Sequence, residues 1–166
     1  PRYQFGIVNR FEDFCSLQQA KEEEAGLSRM TAGFAWKWET KNNKDAFDIV
    51  IEGIPKRWNS SQKDWVNSPN AVNEVGCIHT VQGYDLNYGF VILGPDIYYD
   101  KDEGVVCVNK ANFKDAVAKK KASDDDLRKI IVNAYYVLMT RGMLGTFLYV
   151  CDPALKKYLS RYIPVI

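Results

Sequence analysis

The chain contains no Gly-Lys pair, so it carries no G-x-x-x-x-G-K-[ST] loop, and none of its 11 glycines falls into G-x-G-x-x-G. A self-contained phosphate cradle is thereby excluded. There is one histidine and no H-E-x-x-H, which excludes the usual zinc hydrolase patterns. No Ser/His/Asp order stands out either, so a self-contained hydrolase is a weak reading. The four cysteines, Cys15, Cys77, Cys107 and Cys151, are widely spaced and form no C-x-x-C. Three lie in apolar runs, which predicts buried free thiols in a reducing compartment rather than a metal cluster. No apolar run approaches the roughly 18–20 residues of a membrane span. No apolar stretch follows Pro1-Arg2-Tyr3, so no signal peptide is read and a cytoplasmic location with no membrane partner is expected. The 22 basic and 21 acidic residues leave a net charge of +1. That balance argues against a nucleic-acid module held by charge alone, while leaving room for a local basic groove.

What remains is the composition of an ordinary globular protein, 46% hydrophobic and 26% charged. A chain of 166 residues fits one domain, taken as 1–166, and buries roughly 70% of its unfolded surface. Helical spacing of Phe11, Phe14, Cys15 and Leu17 predicts a helix over 10–25 that stops at Gly26. Strands are predicted over 28–38, 47–51 (FDIVI), 75–80 (VGCIHT), 90–93 (FVIL), 105–108 (VVCV, an edge excursion) and 146–151 (TFLYVC). Residues 53–69, with two Trp, Pro55 and several Ser and Asn, read as an irregular functional loop. Ser123 is an N-cap followed by three aspartates at the positive end of a helix dipole. That helix has the clearest period: Leu127, Ile130, Ile131, Ala134, Tyr135 and Leu138 fall at i, i+3, i+4, i+7, i+8 and i+11. It ends near Arg141-Gly142. Asp152-Pro153 opens a last helix to about Tyr162. Strands alternating with helices predict an α/β layer fold with a largely parallel sheet.

Two segments carry chemistry. In Glu74 to Leu86, a buried strand runs through His79-Thr80 into a polar turn with Gln82, Gly83 and Asp85. Ligands of open α/β sheets bind beyond the carboxyl ends of strands, and a glycine there admits a phosphate or sugar. The same residues also make an ordinary βα turn with a positive-φ glycine. In Tyr135 to Gly142, a core-packed helix delivers Arg141 at its end. An arginine fork held on a rigid helix can stabilise charge on a transferring phosphoryl group. It can equally favour the negative end of the helix dipole, with Gly142 as the C-cap.

In order, and separated by a strand, these segments resemble superfamily 1 helicases in their second RecA-like lobe. His79-Thr80-Val81-Gln82-Gly83-Tyr84-Asp85 is similar to helicase motif V. Tyr136 to Gly142, with Thr140-Arg141 as its core, is similar to motif VI. The chain resembles still more closely a bacterial family, domain of unknown function 2075, related to the helicase part of the longer Schlafen proteins. Ser28 to Trp38, Glu74 to Tyr88 and Gly94-Pro95-Asp96 carry that likeness, which covers about Val8 to Leu159.

The resemblance implies a RecA-like (P-loop NTPase-like) three-layer domain that lacks its own P-loop. It implies that Arg141 reaches the γ-phosphate of ATP, that Gln82 and Gly83 lie near that phosphate, and that Asp85 touches the ribose or its water. His79 and Thr80 would face the nucleic-acid backbone or couple it to the nucleotide. Walker A, Walker B and the motif IV Phe-Arg lie upstream in the family. This chain, which starts without Met, is therefore expected to be the C-terminal lobe of a longer protein. Its partners would be the N-terminal RecA-like lobe of the same polypeptide and DNA or RNA, taken as single-stranded. ATP with Mg2+ would act in the intact protein, and the isolated chain is expected to hold neither and to be inactive. Trp36 and Trp38 are read on one face of a strand with Lys37 opposite, as core filling in preference to a surface that stacks the bases of a single strand. Trp58 and Trp65, beside Lys56-Arg57 and Lys63, are candidates for base stacking or for anchoring their loop. The alternative is a non-catalytic Rossmann-like module that binds nucleic acid or protein.

Overall fold

The computed structural model describes residues 2–166. The elements are β1 (Gln4–Ile7), α1 (Phe11–Ala25), β2 (Ser28–Ala32), β3 (Ile49–Ile51), β4 (Ile54–Lys56), β5 (Val75–Gly76), α2 (Ile78–Val81), β6 (Leu86–Leu93), β7 (Ile97–Asp100), β8 (Val105–Val108), α3 (Ala116–Lys121), α4 (Asp124–Met139), β9 (Gly142–Val150) and α5 (Pro153–Leu159). Five strands form the central sheet in the order β1-β9-β6-β2-β5, and every neighbouring pair is parallel.

Both faces of that sheet are apolar because side chains alternate along each strand. Phe90, Ile92, Phe147 and Tyr149 point to α1, where Phe11 meets Tyr149 edge-on at 5.1 Å and Phe14 meets Phe90 at 5.2 Å. Val91, Leu93, Leu148 and Val150 point the other way, under Leu127, Ile131, Tyr135 and Leu138 of α4 and Leu155 of α5. Each fully buried side chain of this size contributes about 1.5–3 kcal/mol. Helix, parallel sheet and helix make the RecA-like three-layer α/β arrangement. The caps of α4 and α5 are those read from the sequence: Ser123 accepts from Asp126 N, and Asp152 accepts from Leu155 N with Pro153 at the first turn.

Several predicted strands are cut short. The run over 28–38 pairs only to Ala32, because Ala35 N bonds back to Gly33 O at 2.8 Å and turns the chain. Trp36 and Trp38 therefore do not lie on a strand. The run over 75–80 pairs only at Val75–Gly76. Thr80 Oγ1 accepts from Cys77 N (3.0 Å) and donates to Cys77 O (2.9 Å), which closes a helical turn where the ladder would have continued. Ile49–Ile51 and Val105–Val108 belong to two-stranded antiparallel pairs outside the central sheet. By contrast, β6 starts four residues earlier than predicted, at Leu86, and β9 four residues earlier, at Gly142.

The polar loop over 53–69 hides both of its tryptophans. Trp58 is 1% exposed and Trp65 is 0% exposed. Trp65 Nε1 donates to Glu74 Oε2 at 2.9 Å, and its ring fills the space that a Cβ on Gly76 would need. All four cysteines are free, but only Cys77 is buried; Cys15, Cys107 and Cys151 are half-buried. No helix among the described residues is long and apolar enough to cross a membrane.

Both outer strands have company. Beside β1, Ile7 N donates to Pro164 O (2.8 Å) and Ile166 N donates to Ile7 O (2.9 Å). Beside β5, Val75 N donates to Arg57 O and Asn59 N to Val75 O, both at 2.9 Å.

At the carboxyl end of the sheet, Tyr135 OH donates to Asp96 Oδ1 at 2.5 Å and accepts from Gly94 N at 3.0 Å. Asp96 Oδ2 is buried without a partner. Burial pushes the Asp96 carboxyl up to about 6, opposed by the Tyr135 hydrogen bond. With a raised folded value, the stability that this group lends below the unfolded carboxylate range is lost as pH rises through about 6. Acidification from pH 7.5 to 5 should therefore add about 1 kcal/mol through this residue. In Asp96→Asn that gain should vanish, as read by urea unfolding at the two pH values; an unchanged gain would show that another group is responsible.

Candidate functional site

At the amino end of the sheet, the two motif segments meet. The pairing Leu86↔Gly142 starts the β6–β9 ladder, and Leu86 N donates to Arg141 O at 2.9 Å. Between the pairs Leu86↔Gly142 and Tyr88↔Gly145, one residue on β6 (Asn87) opposes two on β9 (Met143 and Leu144), a bulge shortly after Arg141. Gly142 is forced there: a Cβ would strike the Gly145 carbonyl oxygen and Thr146 Oγ1. Thr146 Oγ1 in turn donates to Met139 O at 3.0 Å, tying the end of α4 to β9.

α4 stops at Met139, and Thr140 N and Arg141 N bond back to Val137 O and Leu138 O. Arg141 is half-buried, and its Nε is buried with no acceptor in reach. A buried charged donor without an acceptor costs at least about 1–3 kcal/mol, so the position favours an incoming anion. Gln82, Gly83 and Asp85 lie in the turn that leads into β6, where Gln82 and Gly83 are exposed. Gly83 has φ 83°, and no heavy atom lies within 4 Å of its missing Cβ. It therefore presents bare backbone in a conformation that other residues resist. The sequence-predicted quartet Gln82, Gly83, Asp85 and Arg141 is thus brought to one edge, but it is the amino edge of β6 and β9, not the carboxyl edge expected from spacing. The cause is α2, whose single turn and the following turn carry the chain back across the sheet.

His79 and Thr80 sit nearer the other edge. His79 is exposed, with its ring 5.8 Å from that of Phe34. Thr80 is 5% exposed and its hydroxyl is engaged by Cys77, so it serves as a helix cap instead of facing a ligand. Trp58 and Trp65 offer no free ring face to a base; both are core residues, with Trp58 packed between Trp38 (5.8 Å) and Phe34 (6.0 Å). That corrects the stacking role considered for them and favours loop anchoring. Beside the loop, which contributes only Asn59 and Gln62 to it, lies a groove of about 740 Å³ at the carboxyl side, walled by Phe34, Trp36 and Trp38 and rimmed by lysines. The Trp-Lys-Trp triplet marks one wall in the sequence. The other wall comes from 113–119, which no local pattern links to it.

Among the described residues no three His, Cys, Asp or Glu side chains gather as metal ligands. Arg29, in the first of the resemblance segments, is 6% exposed and structural: its Nε donates to Val66 O (2.8 Å) and its Nη1 pairs with Glu22 (2.8 Å).

The chain belongs to the family described as Schlafen group 3, DNA/RNA helicase domain, whose sequence pattern matches residues 1–152. It is thus a helicase-related module. It is also similar to Uncharacterized protein YPL245W of Saccharomyces cerevisiae, 31% identical over 150 residues, which are 85% of this chain and 33% of that protein. The chain therefore spans about a third of the length of this curated relative, which is a yeast and not a bacterial protein. No solved structure gives a match.

The two glycines of the amino edge should separate by mechanism. Gly83→Ala meets open space and should lose only about 1 kcal/mol, from its positive φ. Gly142→Ala must displace backbone and should lose more than about 2 kcal/mol. Urea unfolding of the two variants measures the order; equal losses would contradict the geometry of the bulge.

Proposed function

We propose that this chain is the second RecA-like lobe of a superfamily 1-type helicase or translocase and supplies half of a composite ATP site. The observation that carries the reading is the amino edge itself: Arg141, with a buried Nε that lacks an acceptor, beside the open backbone of Gly83. In this reading Arg141 binds the γ-phosphate and stabilises its charge during transfer, Gln82 and the Gly83 backbone line the phosphate, and Asp85 accepts from the ribose or its water. The quartet suits a triphosphate, with one fixed cation, one bare backbone turn, one amide and one carboxylate acceptor. ATP supplies the transferable phosphoryl group; Mg2+ and the phosphate cradle would come with an upstream lobe of the same polypeptide.

The motif V and VI likeness and the helicase family support this reading over a non-catalytic binding module. The two part at the gene: a G-x-x-x-x-G-K-[ST] in the preceding 200 or so codons favours the helicase. In the full-length protein, Arg141→Ala should lower ATP turnover by about 10³-fold or more while nucleotide affinity stays within a few-fold. Steady-state ATPase and equilibrium nucleotide binding measure this, and wild-type turnover in the variant would refute the role of Arg141. The isolated chain should show no ATPase above background; robust hydrolysis by a clean sample would overturn the half-site.

A further inference from the structure

A second, smaller cavity of about 110 Å³ lies at the carboxyl end of the sheet and adjoins the groove: Phe34, His79, Phe113 and Asp115 line both. Asp96 is part of its wall. Tyr135 OH holds Asp96 Oδ1 and is itself held by Gly94 N, so the carboxylate is fixed before anything binds. Its other oxygen, Oδ2, is buried without a donor, in a residue that is 1% exposed. A carboxylate withdrawn from water is stable only beside a donor or a cation. The lining supplies no Lys or Arg, and no ion pair reaches Asp96 among the described residues.

The rest of the lining narrows the chemistry of a ligand. Phe34 and Phe113 are aromatic, and aromatic faces attract a cation. Ile130, Ile131 and Ala134 of α4 offer apolar contact to a methylene stem. Only one carboxylate oxygen is free, which suits the point charge of an ammonium better than the two-pronged guanidinium fork. With about 30 Å³ of liquid per water molecule, the cavity admits roughly four heavy atoms, the length of a lysine tip.

Outside the cavity the sign reverses. Lys37, Lys114 and Lys119 line the adjoining groove, and none has a carboxylate within ion-pair distance among the described residues. Lys114 Nζ donates to Ala111 O at 2.9 Å. The one carboxylate common to cavity and groove, Asp115, already accepts from Val117 N and Ala118 N as the cap of α3. A polyamine would set its further charges against these lysines. A lysine flanked by acidic residues matches both parts, cation inward and carboxylates along the rim.

We infer that the cavity and its rim bind an acidic segment of a partner protein through one lysine, whose ammonium donates to Asp96 Oδ2. The site lies at the opposite end of the sheet from Arg141 and does not depend on the ATP-site reading.

The test is fluorescence anisotropy of the 166-residue chain at pH 7.5 with a labelled peptide, Glu-Asp-Glu-Lys-Glu-Asp-Glu. Acetylation of the peptide's lysine should weaken binding about 10- to 150-fold, the range for a hydrogen bond to a charged group. Asp96→Asn should weaken it to a similar degree. Ala134→Leu, which fills the cavity from a half-buried position and leaves Asp96 in place, should weaken it about 10-fold or more. Lys37→Glu with Lys119→Glu should weaken the plain and the acetylated peptide by the same factor, because these lysines meet only the flanking carboxylates. Arg141→Ala should bind as wild type. Equal affinity for the acetylated peptide would overturn the proposal, as would unchanged affinity in Ala134→Leu with wild-type circular dichroism. Displacement of the peptide by equimolar 6-aminohexanoate would also overturn it and mark a small-molecule pocket. Displacement by equimolar dT12 would overturn it in favour of nucleic acid.

Discussion

The parallel ladder between β6 and β9 is the constraint on which the rest of the structure depends. It runs from Leu86↔Gly142 to Leu93↔Val150 and lies at the middle of the sheet, buried on both faces. Its amino end joins the turn of Gly83 and Asp85 to the end of α4, which no local interaction would bring together. Its carboxyl end continues in Cys151 N donating to Leu93 O at 2.9 Å, beside the Gly94-Pro95-Asp96 turn that Tyr135 clamps. The bulge at Met143–Leu144 is the one irregularity in this ladder, and it falls where Arg141 must leave the helix and the strand must begin.

The helices α1, α4 and α5 were legible because their signals are local, while the short α2 and α3 were not read. α1 and α4 show apolar spacing at 3.6 residues with a glycine stop or a serine cap, and each lies within about two residues of its predicted ends. The strands were legible only as apolar runs, and such a run does not say where pairing stops. Val75 to Thr80 reads as one buried strand, yet Thr80 closes a turn on Cys77 and only two residues pair. β1 went unread because Gln-Phe-Gly-Ile has no pattern of its own; its place beside β9 decides it. The quartet of the amino edge was found through motif likeness, while its side of the sheet was misjudged because a single helical turn reverses it. Trp58 and Trp65 misled through composition: a polar loop suggests exposed rings, but Glu74 and Gly76 draw Trp65 under the sheet edge.

Residues Cys77 to Asp85 belong to both edges. Cys77 and His79 line the groove, and Gln82, Gly83 and Asp85 form the turn beside Arg141, with only α2 between them. A four-residue helix fixed by its own cap has little slack.

The two outer strands of the central sheet have a consequence for how anything larger can associate. Exposed strand edges are templates for further strands, the usual route to augmentation and aggregation. Here the irregular chain Pro164 to Ile166 covers the free side of β1 at Ile7, and Arg57 to Asn59 covers that of β5 at Val75. Each edge is thus blocked at one end by the protein's own chain, while Gln4 and Phe5 of β1 stay exposed. A foreign strand laid on β1 would have to stop short of Ile7, which leaves it too few pairings for a stable extension of the sheet.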